Sequence, residues 1–206
     1  MSNAPLMFFE LLKKNLLQCG FKQIDYIDSC LFVHKKAICL TCVNNCLWFG
    51  KDGATLDKLI AEMKKKMDLK VESYNVSAFL GFQFTQHGDT IKLKQLGLID
   101  KIIASTGMED CNRAKVLAEA KPLGKDKNGT PFSKTWSYPN KDGMLLYLSG
   151  NSWPDIAFAV NQAARFTHNP KQSHAVAVKR IVQYLKGTCD GGLIFRPSTD
   201  WKIDCY

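Results

Sequence analysis

Residues 38–50 read Ile-Cys-Leu-Thr-Cys-Val-Asn-Asn-Cys-Leu-Trp-Phe-Gly. Two short apolar runs flank one polar pair, Asn44-Asn45. Asn tolerates a positive φ, so a two-residue Asn-Asn link between apolar runs predicts a tight β-hairpin. The runs are almost wholly apolar rather than alternating, which predicts that both faces of the hairpin are buried. Its tip presents two side-chain amides.

Working outward, Cys30 to His34 is a strand candidate that turns through Lys35-Lys36 into the hairpin. Residues 3–20 predict a helix capped by Asn3, with Pro5 in its first turn and Gly20 closing it. Leu6, Phe9, Leu12 and Leu16, with Leu17 at its margin, form its apolar face at helical spacing. On the other side, residues 55–67 predict an amphipathic helix burying Leu56, Leu59, Ile60, Met63 and Met67. A second hairpin is expected from Phe79–Gln86 and Thr90–Lys94, and a helix from Gln95 to Ser105. Residues 109–140 hold Pro122, Gly124, Gly129, Pro131 and Pro139 with few apolar residues, the composition of a linker or long surface loop. Three helices follow, over 142–149, 154–167 and 173–186, the last capped by Ser173 and stopped by Gly187. From Gly192 the tail reads as a strand, a turn at Pro197-Ser198 and a second strand.

The formal net charge is +9, which favours an anionic partner, nucleic acid before others. Eight cysteines show no disulfide framework, and the start, MSNAPLMFFE, lacks the basic segment and apolar core of a signal peptide. Reduced thiols in an intracellular protein, cytoplasmic or nuclear, are therefore expected. Cys39, Cys42 and Cys46 have a spacing like that of metal ligands, but in a strand positions 39 and 42 point to opposite faces. Buried apolar thiols are expected there rather than zinc. No apolar run reaches membrane-spanning length. No GxSxG, Walker A, GxGxxG or HExxH motif occurs.

Several segments carry a resemblance in a fixed order. They are Cys19-Gly20-Phe21, Asp28-Ser29-Cys30-Leu31-Phe32, the hairpin 38–50, Phe79-Leu80-Gly81-Phe82-Gln83-Phe84, Gly143 to Leu148, Pro154 to Val160 and Ala175 to Thr188. Together they resemble the reverse transcriptase (RNA-directed DNA polymerase) region of Ty1/copia-type retrotransposon Pol polyproteins, along almost the whole chain. The resemblance implies an α+β fold: a palm-like antiparallel sheet with packed helices, followed by a helical thumb and connection region. It divides the chain into a partial palm with the start of the thumb (1–107), a linker or long loop (108–140), a helical thumb and connection region (141–190) and strands leading toward a ribonuclease H domain (191–206).

The resemblance also sets out the chemistry. The intact family uses Mg²⁺, two ions clamped by carboxylates, to activate a primer 3′-hydroxyl and neutralise phosphate charge. Its Tyr-x-Asp-Asp tetrad aligns with Cys42-Val43-Asn44-Asn45. Asn44 and Asn45 thus stand where the catalytic Asp pair would be, and a further catalytic Asp lies on a family segment upstream of residue 1. The expectation is a chain that binds no metal and does not polymerise DNA. The family usually carries Arg at the position of Trp153. Each Asp-to-Asn change and an Arg-to-Trp change needs one base transition, the pattern of a decaying element. An RNA–DNA or DNA primer–template is the expected partner, with Lys58, Lys64, Lys65, Lys66, Lys92, Lys94, Lys179 and Arg180 as candidate phosphate contacts. For the lysines between 58 and 66 a solvated helix face is the favoured expectation over phosphate contact. Two alternatives stay open: a non-catalytic basic nucleic-acid-binding module, and an accessory chain whose partner supplies the missing palm and fingers.

Overall fold

The computed structural model describes residues 4–42, 45–50, 52–71, 78–117, 122–133 and 135–196. The chain divides into two compact units, Met1–Tyr74 and Asn75–Tyr206. Antiparallel sheets and packed helices in both give the expected α+β class.

The first unit starts with helix α1 (Ala4–Gln18). Gly20 ends it at φ +85°, where glycine avoids the Cβ clash of the left-handed region. Phe21 N–H then bonds Leu16 O and Gly20 N–H bonds Leu17 O, a Schellman closure. A four-stranded antiparallel sheet follows, in the order β1 (Lys22–Gln23), β2 (Leu31–His34), β3 (Ala37–Cys42) and β4 (Asn45–Gly50). Helix α2 (Gly53–Lys64) is capped by Asp52, whose carboxylate accepts from Thr55 N at 2.7 Å. The unit's core joins Leu12 and Leu16 of α1, Phe32, Ala37 and Cys39 of the sheet, and Leu59 and Met63 of α2. Full burial of each large side chain stabilises the unit by about 1.5–3 kcal/mol.

Three expectations for this unit need correction. Cys42 pairs with Asn45, so the link of the hairpin is residues 43–44, one position earlier than Asn44-Asn45. The two faces of the hairpin are buried unequally: Ala37, Cys39 and Thr41 point into the core, whereas on the opposite face Leu47 is buried but Ile38 is 40% and Phe49 50% exposed. The apolar runs reflect β propensity on both faces rather than equal burial of both. Leu6 and Leu17 are exposed and lie outside the apolar stripe of α1. Asn3, expected to cap that helix, lies outside the described residues.

In the second unit a separate antiparallel sheet runs β5 (Ala78–Phe79), β6 (Phe82–His87), β7 (Thr90–Lys94) and β8 (Leu193–Phe195). Its last strand realises the first strand expected in the tail; residues 197–206, with the expected turn and second strand, are not described. Helix α3 (Leu96–Ser105) closes through Gly107 at φ +66°, with Met108 N–H bonded to Ile103 O. The stretch from 109 to α4 (Tyr138–Asn151) carries no helix or strand among its described residues, but α4 begins inside the expected 109–140 loop, and Phe132, Trp136 and Tyr138 of that range are buried rather than on the surface. The helix expected over 154–167 is a 3₁₀ turn, Pro154–Ile156, followed by α5 (Ala157–Ala164). Helix α6 (Gln172–Gly187) starts after Lys171, so Ser173 is inside the helix rather than its cap. Its hydroxyl donates instead to Asp126 Oδ2 at 2.5 Å. Ile99, Ile102, Leu145, Leu148, Ile156, Val160, Val182 and Leu185 form the centre of a helical core, with Trp153 buried among them. Phe132, Trp136 and Tyr138 add an aromatic edge; the Trp136 and Tyr138 rings stack at 5.6 Å.

Candidate functional site

The hairpin tip is built by strand pairing alone. Cys42 and Asn45 pair across it, and Asn45, the first residue of β4, is exposed. Asn44 lies outside the described residues. One rung from the tip Thr41 is fastened to Cys30 O through its backbone N–H at 2.9 Å and its hydroxyl at 3.2 Å. Cys39 and Cys46 share the core-facing side, where the neighbouring Cys46 sulfur and burial act on the Cys39 thiol. Together they raise the Cys39 pKa and hold it as a neutral thiol. Cys42 faces the other way, so the three cysteines do not converge. Among the described residues no three His, Cys, Asp or Glu side chains come together as metal ligands.

The donor set at the tip does not fit the two Mg²⁺ ions of the intact family. Mg²⁺ is a hard ion that demands anionic oxygen ligands and sheds its water reluctantly. The side chains at 44 and 45 are neutral amides. Replacing two carboxylates by two amides removes two negative charges from the place where two dications would have to be neutralised.

The eight basic candidates fall on three elements. Lys58 and Lys64 lie on α2, and Lys65 and Lys66 in the turn after it; all four are exposed. Lys66 Nζ donates to Gln18 Oε1 at 3.0 Å, which ties the C-terminal end of α2 to the end of α1. Lys92 and Lys94 project from β7 toward the turn before β8. Lys92 Nζ donates to Asp190 O at 2.5 Å, and Lys94 pairs with the Asp190 carboxylate at 3.5 Å. Lys179 and Arg180 lie on α6 at the rim of a groove of about 610 Å³ whose walls include Leu117, Leu123, Phe158 and Val176. Arg180 Nε donates to Val116 O at 3.1 Å, which leaves the other guanidinium nitrogens facing outward as donors.

A second basic group is not apparent from the sequence. Lys125, Lys127, Arg165, His168 and Lys171 line one shallow depression of about 380 Å³ in the second unit. The available signal was Lys125-Asp-Lys127 beside Gly129, a charged turn inside a stretch with the composition of a surface loop.

Comparison with known proteins places these features in a family. A family model described as reverse transcriptase (RNA-dependent DNA polymerase) matches residues 1–120. The chain is similar to the retrovirus-related Pol polyprotein from transposon RE1 of Arabidopsis thaliana, at 26% identity over all of this chain and 14% of that polyprotein. It is similar at 28% identity to the Pol polyprotein from transposon TNT 1-94 of Nicotiana tabacum, over 82% of this chain and 14% of the relative. An uncharacterized mitochondrial protein of Arabidopsis thaliana is 28% identical over 80% of this chain and 67% of its own length. The chain thus spans only 14% of the length of these Pol polyproteins. No solved structure matches. With more than half of the residues inside the family model and Pol relatives along the whole length, the chain belongs to the reverse transcriptase (RNA-dependent DNA polymerase) family, of the Ty1/copia type found in transposon Pol polyproteins.

Proposed function

We propose that this chain is a reverse-transcriptase palm and thumb region that binds primer–template nucleic acid but does not extend the primer. The observation that carries this reading is the hairpin tip. Asn45 opens β4 beside an Asn at 44, where the family's carboxylate pair would hold Mg²⁺. Without anionic oxygens there, nothing assembles the metal pair that would activate a 3′-hydroxyl. Nucleic-acid binding needs less: exposed lysines and arginines that displace counterions from phosphates. The net charge of +9 and the exposed lysines at 58, 64, 65 and 66 support that retained step.

The test is a pair of assays on the purified full chain. Binding to a labelled RNA–DNA primer–template should weaken steeply as salt rises, and primer extension with Mg²⁺ or Mn²⁺ should be at background. Template-directed incorporation would overturn the loss of polymerase chemistry. Folded protein that fails to bind at low salt would overturn the nucleic-acid reading.

The accessory-chain reading has one observation in its favour. The face of the first sheet that carries Ile38 and Phe49 is half open, and β4 is an edge strand with apolar side chains. Such an edge accepts another strand readily. Co-expression with a family fragment carrying the remaining palm strand, followed by co-purification, checks it.

A further inference from the structure

We propose that the depression lined by Lys125, Lys127, Arg165, His168 and Lys171 is a second phosphate-backbone site for nucleic acid, separate from the lysines of α2 and from Lys179 and Arg180. The proposal rests on the nucleic-acid reading above and names a contact surface within it.

The cluster is assembled by long-range bonds rather than by adjacency in the chain. Lys125 and Lys127 come from the loop before α4; Arg165, His168 and Lys171 come from the link between α5 and α6. Two backbone hydrogen bonds join the two segments, Phe132 N–H to Pro170 O at 3.0 Å and Gln172 N–H to Thr130 O at 2.9 Å, and together they make an antiparallel bridge between Pro131 and Lys171. His174 locks them together. It is fully buried, its Nδ1 accepts from Lys171 N–H at 3.0 Å, and its Nε2 lies 2.8 Å from Gly124 O. A backbone N–H can only donate and a carbonyl can only accept, so the neutral tautomer with hydrogen on Nε2 satisfies both. Lys125 follows Gly124 directly and Lys171 is itself the partner, so one imidazole fixes the backbone of both lysines.

Other features hold the charges in place. The Phe166 ring stacks on His174 at 4.0 Å, and the Arg165 guanidinium sits 5.6 Å from the Phe166 centroid while donating to Gln162 Oε1 at 3.1 Å. Between the two loop lysines Asp126 has φ +44°, a conformation that costs a non-glycine residue about 1–2 kcal/mol. Gly129 allows the turn to close: a Cβ there would stand 2.0 Å from Asp126 Oδ2. Backbone strain of this kind persists where the surroundings over-determine it. The Asp126 carboxylate is directed to the Ser173 hydroxyl at the start of α6. Among the described residues none of the four lysine and arginine side chains is within ion-pair distance of a carboxylate. Cations gathered in a concavity without counter-charges repel one another, and a polyanion that enters relieves the repulsion. A phosphodiester backbone supplies several such charges in a row.

The test is fluorescence anisotropy of the full chain with a labelled RNA–DNA primer–template across a salt series. K125A/K127A/K171A replaces exposed or half-exposed side chains and leaves His174 intact. It should weaken low-salt binding by ten-fold or more and lower the salt slope by about three, one for each phosphate no longer neutralised. K64A/K65A/K66A serves as the parallel variant on the other unit. Wild-type binding with an unchanged slope in K125A/K127A/K171A overturns this site and leaves the broader reading intact. Absence of wild-type binding overturns both. Polyglutamate that binds as tightly as the duplex, and is released by the same variant, overturns the assignment to nucleic acid.

Discussion

Two hairpins of similar length sit in the two units, and they are stabilised in opposite ways. β3 and β4 pair over six rungs and send Cys39 and Ala37 into a core shared with two helices. β6 and β7 pair over five rungs, yet among the described residues no side chain of β5 to β8 enters the helical core of the second unit. There Ile91, Ile194 and Phe195 are all substantially exposed. The second sheet is held by its ladder and by the two lysines that reach Asp190. A strand pattern alone therefore does not say whether a hairpin is the core of its unit or an attachment to it.

The largest test of this contrast is a matched pair of truncations. Phe32→Ala removes a fully buried ring from the first sheet and should destabilise that unit by about 3–5 kcal/mol in urea unfolding. Phe84→Ala removes a partly buried ring that lies outside the helical core and should cost less, roughly 1 kcal/mol. Equal losses would mean that the second sheet is as much a part of its core as the first.

Next in size is His174→Ala. It deletes a stacked ring and two hydrogen bonds and leaves Gly124 O and Lys171 N–H without their partner. Net loss should be about 2–4 kcal/mol. Amide exchange should speed first in the 124–132 loop. A loss confined to α3, far along the chain, would contradict the locking role.

A smaller effect distinguishes the helical core by its pH response. Asp142 is buried, with Thr167 Oγ1 donating to its Oδ2 at 2.6 Å and its Oδ1 without a partner. Burial raises its pKa, more than the Thr167 bond lowers it. The folded state therefore holds the proton more tightly than the unfolded state, and stability falls as pH rises through the raised native value. Asp142→Asn should remove that fall, so that the variant gains on the wild type as pH increases from about 4 to 8. A stability difference that does not vary with pH would refute this.

Much of the fold was legible because its signals are local. Leu59, Met63 and Met67 repeat at helical spacing, and Gly20 and Gly107 mark chain reversals that need a positive φ. The hairpin was legible as an element but not in register. Asn44-Asn45 and Val43-Asn44 are equally short links, and a one-residue slip exchanges the buried and open faces. The family match was legible because ordered segments added up along the chain. The lysine depression was not. Lys125 and Arg165 are far apart in the chain, and what unites them is a buried imidazole that bonds Gly124 across 50 positions. Nothing in the spacing of the lysines encodes that bond.

The smallest expected change in stability bears on the open face of the first sheet. Phe49 is half exposed on edge strand β4, where its cross-strand partner is Ile38. Phe49→Thr keeps a residue that favours strands and removes apolar surface that is already half in water. Its stability cost should be within about 0.5–1 kcal/mol, far below that of Phe32→Ala. Its effect on association should be larger, because an apolar edge strand is a template for pairing with another chain. Sedimentation velocity should show less concentration-dependent association than the wild type. A large stability loss with unchanged association would mean that this face is packed as tightly as the one beneath it, and the contrast between the two sides of the hairpin would disappear.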